Sequence, residues 1–118
     1  MGELMKTRSP ITTHVLDTSA GKPAAGVVVL LEKKDAKGNW TELSKSTTNQ
    51  DGRVEDLLSV DAKIESGIYR LQFEVGAYYK GNTFYPSAMI IFEIKNPSEH
   101  YHVPLLLSPY GLSTYRGS

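Results

Sequence analysis

The sequence predicts an all-β domain, a sandwich or a barrel, on three observations. Apolar residues recur with a period of two, or in short unbroken runs, rather than every three to four residues. Turn signals punctuate these runs at short intervals: Gly38-Asn39, Asn49-Gln50-Asp51-Gly52, Asn96-Pro97 and Ser108-Pro109-Tyr110-Gly111. Only residues 76–82 leave room for helix, and then for one or two turns. Several short strands joined by turns must bury their apolar faces against one another, which is the logic of a sandwich or barrel.

Each element can be justified in order. Residues 11–16 are a short β-branched-rich strand. Residues 19–23, with Gly21 and Pro23, read as a loop. Residues 26–32 hold the run Val27-Val28-Val29-Leu30-Leu31, the mark of a well-buried strand. The charged segment 33–39 ends in Gly38-Asn39, a hairpin turn, and residues 40–48 return from it. Asn49-Gln50-Asp51-Gly52 makes a second turn, and Arg53 follows it directly. Residues 57–66 read as a loop with a short irregular piece. In 67–75, Ile68, Leu71, Phe73 and Val75 are apolar, with Arg70, Gln72 and Glu74 between them over most of the run, as in a half-buried strand. Residues 87–94 form a strand around Met89-Ile90-Ile91-Phe92, and Pro97 breaks the chain after it. Residues 101–107 and 112–116 are the last extended segments. There is no internal repeat, low-complexity tract or linker.

Composition narrows the function classes. A chain of 118 residues makes one domain with one core. Thirteen Lys and Arg balance thirteen Asp and Glu, so no excess charge draws the chain to nucleic acid or to an anionic membrane. With no cysteine, disulfides and thiolate metal sites are excluded. Residues 1–10, mixed and polar with Lys6 and Arg8, are expected to be a flexible extension ahead of a domain at 11–118. They contain no apolar run fit for a signal peptide or a membrane span. A cytoplasmic protein is expected, or a periplasmic one if a signal has been removed.

The side chains able to carry chemistry are few. The histidines are His14, His100 and His102. On a strand, His14 shares a face with Thr12 and Leu16, and His100 and His102 point the same way. A His-x-His pair with a distant histidine can build a metal site. The same residues can equally be hydrogen-bonded histidines, and histidine is the side chain best suited to proton transfer near neutral pH. Arg53 alone reads as a solvated strand-end arginine. Tyr115, Arg116 and Ser118 follow an apolar strand, where a terminus would ordinarily fray. Asp17 could orient a histidine or serve a turn. There is no Gly-x-Ser-x-Gly elbow and no phosphate-cradling glycine loop.

Two blocks carry a resemblance. The first is Thr13-His14-Val15-Leu16-Asp17-Thr18-Ser19-Ala20-Gly21-Lys22-Pro23-Ala24. The second runs from Tyr101-His102-Val103-Pro104-Leu105-Leu106-Leu107-Ser108-Pro109-Tyr110-Gly111 through Leu112-Ser113-Thr114 to Tyr115-Arg116-Gly117-Ser118. They resemble the N- and C-terminal signatures of the 5-hydroxyisourate hydrolases, the transthyretin-related proteins. Thr48-Asn49-Gln50-Asp51-Gly52-Arg53, Gly67-Ile68-Tyr69 and Gly76-Ala77-Tyr78-Tyr79 fall between them in the family's order, so the resemblance covers nearly all of 11–118. Two departures are visible: Leu112 stands where the family usually has an aromatic, and the segment 80–86 is short compared with some members.

The resemblance implies a transthyretin-like β-sandwich of two sheets with one short helix. It implies a homotetramer, a dimer of dimers, with paired sites in the cleft where transthyretin holds hormone. The implied reaction is ring-opening hydrolysis of 5-hydroxyisourate in urate degradation, with no metal or organic cofactor. The implied catalytic residues are His14, Arg53, His102 and Ser118. Substrate would be held by His14, Arg53, Tyr115 and Arg116. Either His14 or His102 would deprotonate water, and Arg53 would hold carbonyl or anionic oxygen. Ser118 would offer its hydroxyl and carboxylate. Arg116 would bind substrate or neutralise that carboxylate, the structural role being favoured. His100, beside Glu99, is expected to be exposed and outside the site. Two other readings compete. A transthyretin-like small-ligand carrier would want mainly apolar walls rather than this polar set. A structural or adhesion module would be monomeric.

Overall fold

Side-chain alternation in the strands sorts residues between an inner and an outer layer, and the outer layer of one sheet carries the site. The structure, a computed structural model, describes residues 9–118. Its elements are β1 (Ile11–Asp17), β2 (Lys22–Pro23), β3 (Val28–Lys34), β4 (Trp40–Thr47), β5 (Arg53–Val54), β6 (Gly67–Phe73), α1 (Val75–Tyr78), β7 (Ala88–Ile94), β8 (Tyr101–Ser108) and β9 (Gly111–Thr114). One sheet has the order β2-β1-β8-β9, with β5 also paired to β1. The other has the order β4-β3-β6-β7. This is the expected sandwich of two sheets with one short helix.

Burial follows the two-residue period. Ile11, Thr13 and Val15 of β1 face inward, as do Val103, Leu105 and Leu107 of β8. They meet Leu31, Leu71 and Phe73 from the second sheet in one continuous core. Thr13, the polar residue in that row, is satisfied because its hydroxyl donates to the Val103 carbonyl at 2.6 Å. Thr12, His14 and Leu16 are left on the outer face. Strands β1 and β8 run parallel, pairing Thr12 with His102 and His14 with Pro104.

The turn before β5 fixes the site's third strand. Asn49 Oδ1 accepts from the backbone N–H groups of Asp51 and Arg53 at 2.9 and 3.0 Å. Gly52 has φ +73, and a Cβ there would collide with the Val15 carbonyl oxygen, while Val15 N donates to Gly52 O at 2.7 Å. Only glycine tolerates both conditions. The turn therefore lands β5 antiparallel on β1, with Arg53 directly opposite His14.

Several boundaries differ from the sequence expectation. Lys22 and Pro23, expected in a loop, form β2, because Pro23 falls opposite Leu16 and Ala24 N donates to Val15 O at 2.9 Å. The helix begins one residue early, at Val75, which is fully buried and anchors it. Of the expected extension 1–10, residues 1–8 lie outside the described residues. Ser9 is fully buried; its hydroxyl donates to Ile11 O at 2.7 Å and accepts from Leu58 N at 3.2 Å. Among the described residues, no helix is long and apolar enough to cross a membrane.

Candidate active site

Three neighbouring strands, about 4.8 Å apart, bring residues distant in sequence to one outer face. Central β1 presents Thr12 and His14, β5 presents Arg53 opposite His14, and β8 presents His102 opposite Thr12. Residues directly opposite in a ladder share a face. The tail then closes the group. The register that pairs Leu105 with Thr114 carries on, three residues further, to pair His102 with Gly117. Gly117 N donates to His102 O at 2.8 Å. Between those pairs lies Pro104, which has no N–H for the ladder. Its carbonyl accepts instead from the Thr114 hydroxyl at 2.7 Å.

The His102 ring is held on two sides. Its Nδ1 lies 2.7 Å from Thr12 Oγ1. On its other edge the chain passes so close that a Cβ at Gly117 would stand 2.6 Å from Cδ2. Thr12, Arg53, His102 and Ser118 line a recess of about 60 Å³ together with Thr13 and Glu55. His14 faces Arg53 beside it.

The surroundings of His14 disfavour its charged form. Burial lowers its pKa below the ordinary 6.5, and the Arg53 guanidinium lowers it further; the Asp51 backbone and side chain oppose this without reversing it. Removing the Arg53 charge relieves only the smaller of the two lowering causes. In Arg53→Gln the His14 midpoint, followed by ring proton NMR, therefore rises. An unchanged or lowered midpoint would show that the Arg53 charge does not act on His14.

Tyr115 and Arg116, expected among the substrate contacts, line a different cavity. It is about 310 Å³ and lies between β7, β8 and the tail, with Ile90, Phe92 and Val103 among its walls; His102 borders both spaces. Arg116 lies over the Tyr101 ring at 4.4 Å, and its Nη2 donates to Glu99 Oε1 at 2.9 Å and to His100 O at 3.2 Å. These partners differ from the terminal carboxylate expected for Arg116 from the sequence. The same pairing with Arg116 holds Glu99 below the usual carboxylate range.

Two residues were misjudged or missed. His100, expected to be exposed and uninvolved, is half-buried, and its Nε2 lies 3.0 Å from Thr12 Oγ1. Thr12 had drawn no role at all. The signal was present: Thr12 is two residues before His14, and His100 two before His102, so each shares its neighbour's face. Asp17 does not orient a histidine. It is buried and accepts from Ser19, Ala20, Tyr78 and Tyr79, pinning α1 to β1. Burial pushes its pKa up, and these hydrogen bonds together outweigh burial and hold it low. Burial and the Asp17 carboxylate push the Tyr78 hydroxyl up to about 12. The His-x-His pair converges on the Thr12 hydroxyl. Among the described residues no three His, Asp or Glu side chains are placed to hold a metal ion.

Two imidazoles and a guanidinium on one face suit addition of water to a carbonyl. A positioned base contributes about 10²–10⁴-fold, and a donor aimed at the developing oxyanion about 10²–10³-fold. The model of the HIUase/Transthyretin family matches residues 11–117. The chain belongs to the HIUase/Transthyretin family. A family relative, the 5-hydroxyisourate hydrolase of Halalkalibacterium halodurans, is 50% identical, the match covering 92% of this chain and 97% of that one. Among solved family structures, the 5-hydroxyisourate hydrolase of Klebsiella pneumoniae superposes with a TM-score of 0.79 at 36% identity, covering 92% and 98% of the two chains. Sea bream transthyretin in complex with thyroxine superposes with a TM-score of 0.85 at 29% identity, covering 92% and 95%.

Proposed function

We propose that this family member is a hydrolase that opens the ring of 5-hydroxyisourate to 2-oxo-4-hydroxy-4-carboxy-5-ureidoimidazoline in urate degradation, without metal or organic cofactor. The observation that carries the reading is the polar face on which β1, β5, β8 and the tail gather His14, Arg53, His102 and Ser118. A relative half identical to the chain is named for this reaction.

Each residue has a task. His102 deprotonates water. Arg53 holds the ring carbonyl and the charge that develops on it, since its planar fork makes paired hydrogen bonds to oxygen. Neutral His14 donates to substrate beside Arg53 without adding a second cation. Ser118 offers its hydroxyl at the mouth of the recess. Tyr115 contacts substrate from the adjoining cavity, and Arg116 holds the tail against β8.

A homotetramer, a dimer of dimers, belongs to the same proposal. The recess of about 60 Å³ is by itself far below the roughly 300–1,000 Å³ of small-molecule pockets, and a second chain across it would help enclose substrate. Edge strands β7 and β9 expose Met89, Ile91 and Leu112, an apolar margin suited to self-association.

The likeness to a thyroxine-bound transthyretin raises the carrier reading. The polar set disfavours it, because a carrier of an apolar ligand needs none of these groups. The deciding experiment generates hydroxyisourate in situ from urate with urate oxidase and follows its ultraviolet decay against the spontaneous rate. Protein with four times the 13.0 kDa chain mass by light scattering should accelerate the decay, and should do so after exhaustive chelation. Decay at the spontaneous rate would remove the hydrolase reading, and a monomer would remove the assembly.

A further inference from the structure

We infer that Thr12 and His100 act on the reaction through His102, fixing its ring with the proton on Nδ1 and thereby presenting Nε2 as the base. The inference rests on the hydrolase reading and deepens it. Thr12 Oγ1 lies 2.7 Å from Nδ1 of His102 and 3.0 Å from Nε2 of His100. A hydroxyl has one proton to donate and lone pairs to accept with. It cannot donate to both nitrogens, so the two rings are coupled through one oxygen.

If the hydroxyl donates within this trio, two ordered arrangements are possible while both rings are neutral. In the first, His102 donates from Nδ1 to Thr12, and Thr12 donates to Nε2 of His100. In the second, the chain runs the other way, from His100 through Thr12 to Nδ1 of His102. The second leaves the His102 proton on Nε2, where it blocks any proton from water. The first leaves a lone pair on Nε2. When that nitrogen takes a proton from water, the water O–H bond breaks, an N–H bond forms, and the released oxygen pair adds to the carbonyl carbon as the C=O π pair moves onto the carbonyl oxygen beside Arg53. The Nδ1 proton is already in place, so neither ring nor hydroxyl has to turn.

His100 decides between the two arrangements. By accepting the hydroxyl proton it turns the oxygen's lone pairs toward His102. Its backbone is anchored, since its carbonyl accepts from Arg116 Nη2 at 3.2 Å. Thr12 is only 4% exposed, so water competes poorly for the oxygen, and the β1–β8 register holds it opposite His102. Thr12 and His100 are positioning residues. Neither needs to touch substrate.

Thr12→Val removes the hydroxyl at nearly constant shape, and Thr12→Ser restores it. Nitrogen-15 shifts of ring-labelled His102, recorded without substrate, report the tautomer. The parent and Thr12→Ser should show the proton on Nδ1, and Thr12→Val should move it to Nε2. In the same variant kcat should fall about tenfold or more with KM within about twofold, and Thr12→Ser should recover it. If Thr12→Val does not fold, His100→Ala gives the same reading, because the hydroxyl is then released to donate to Nδ1. A parent His102 with its proton on Nε2 would overturn the inference, as would an unchanged tautomer and kcat in the folded variant. The hydrolase role of His102 fails separately, through a fully active His102→Asn.

Discussion

His102→Asn should lower kcat by about 10²–10⁴-fold while the protein folds and assembles as the parent does. Asparagine cannot take a proton from water near neutral pH. The change is confined to the outer face, where His102 is half-buried and the inward neighbours Tyr101 and Val103 hold the core. His14→Asn should be nearly as harmful, since it leaves Arg53 without the imidazole opposite it. The in situ hydroxyisourate decay measures both, with circular dichroism and light scattering to confirm fold and assembly. Near-parent decay rates in both variants would end the mechanism.

Gly117→Ala should cost activity on the order of tenfold to a hundredfold, the scale of misplacing a catalytic group by about 1 Å. The backbone conformation at this glycine does not demand it; the space does. A Cβ would lie 2.6 Å from His102 Cδ2 and 3.1 Å from Pro104 Cγ. The proline ring is rigid, so the His102 ring must swing or the tail must lift. Either result moves Nε2 from its place. The effect on stability should be the smaller one, about 1 kcal/mol, because the half-buried His102 ring can give way where the buried Pro104 cannot. A kcat and melting temperature both equal to the parent's would mean that the tail does not clamp the ring.

Much of the fold was legible because burial and period agree. The Val27-Val28-Val29-Leu30-Leu31 run and the alternation through Leu71 and Phe73 report their own strands directly. The two-residue strands β2 and β5 were invisible for the opposite reason. They have no hydrophobic pattern of their own and exist only because β1 supplies unpaired backbone groups. For the site, the family resemblance named His14, Arg53, His102 and the tail. What it could not supply was their sorting. That Ser118 lines the recess with Arg53, whereas Tyr115 and Arg116 line another cavity, depends on the tail's register along β8. The tie of both His100 and His102 to Thr12 depends on a parallel pairing of residues 90 positions apart. No local pattern encodes that pairing.

The register shared by Leu105–Thr114 and His102–Gly117 turns the β8–β9 hairpin into a ruler. Substitutions along the return strand, at Leu112 for example, leave the count intact and are tolerable. One residue added or removed between Ser108 and Gly117 is of another kind, because a slip by one turns every later side chain to the opposite face. Ser118 would leave the recess, and a side chain would replace Gly117 over the imidazole. In this sandwich the length of one hairpin is as much a determinant of the site as the residues that line it.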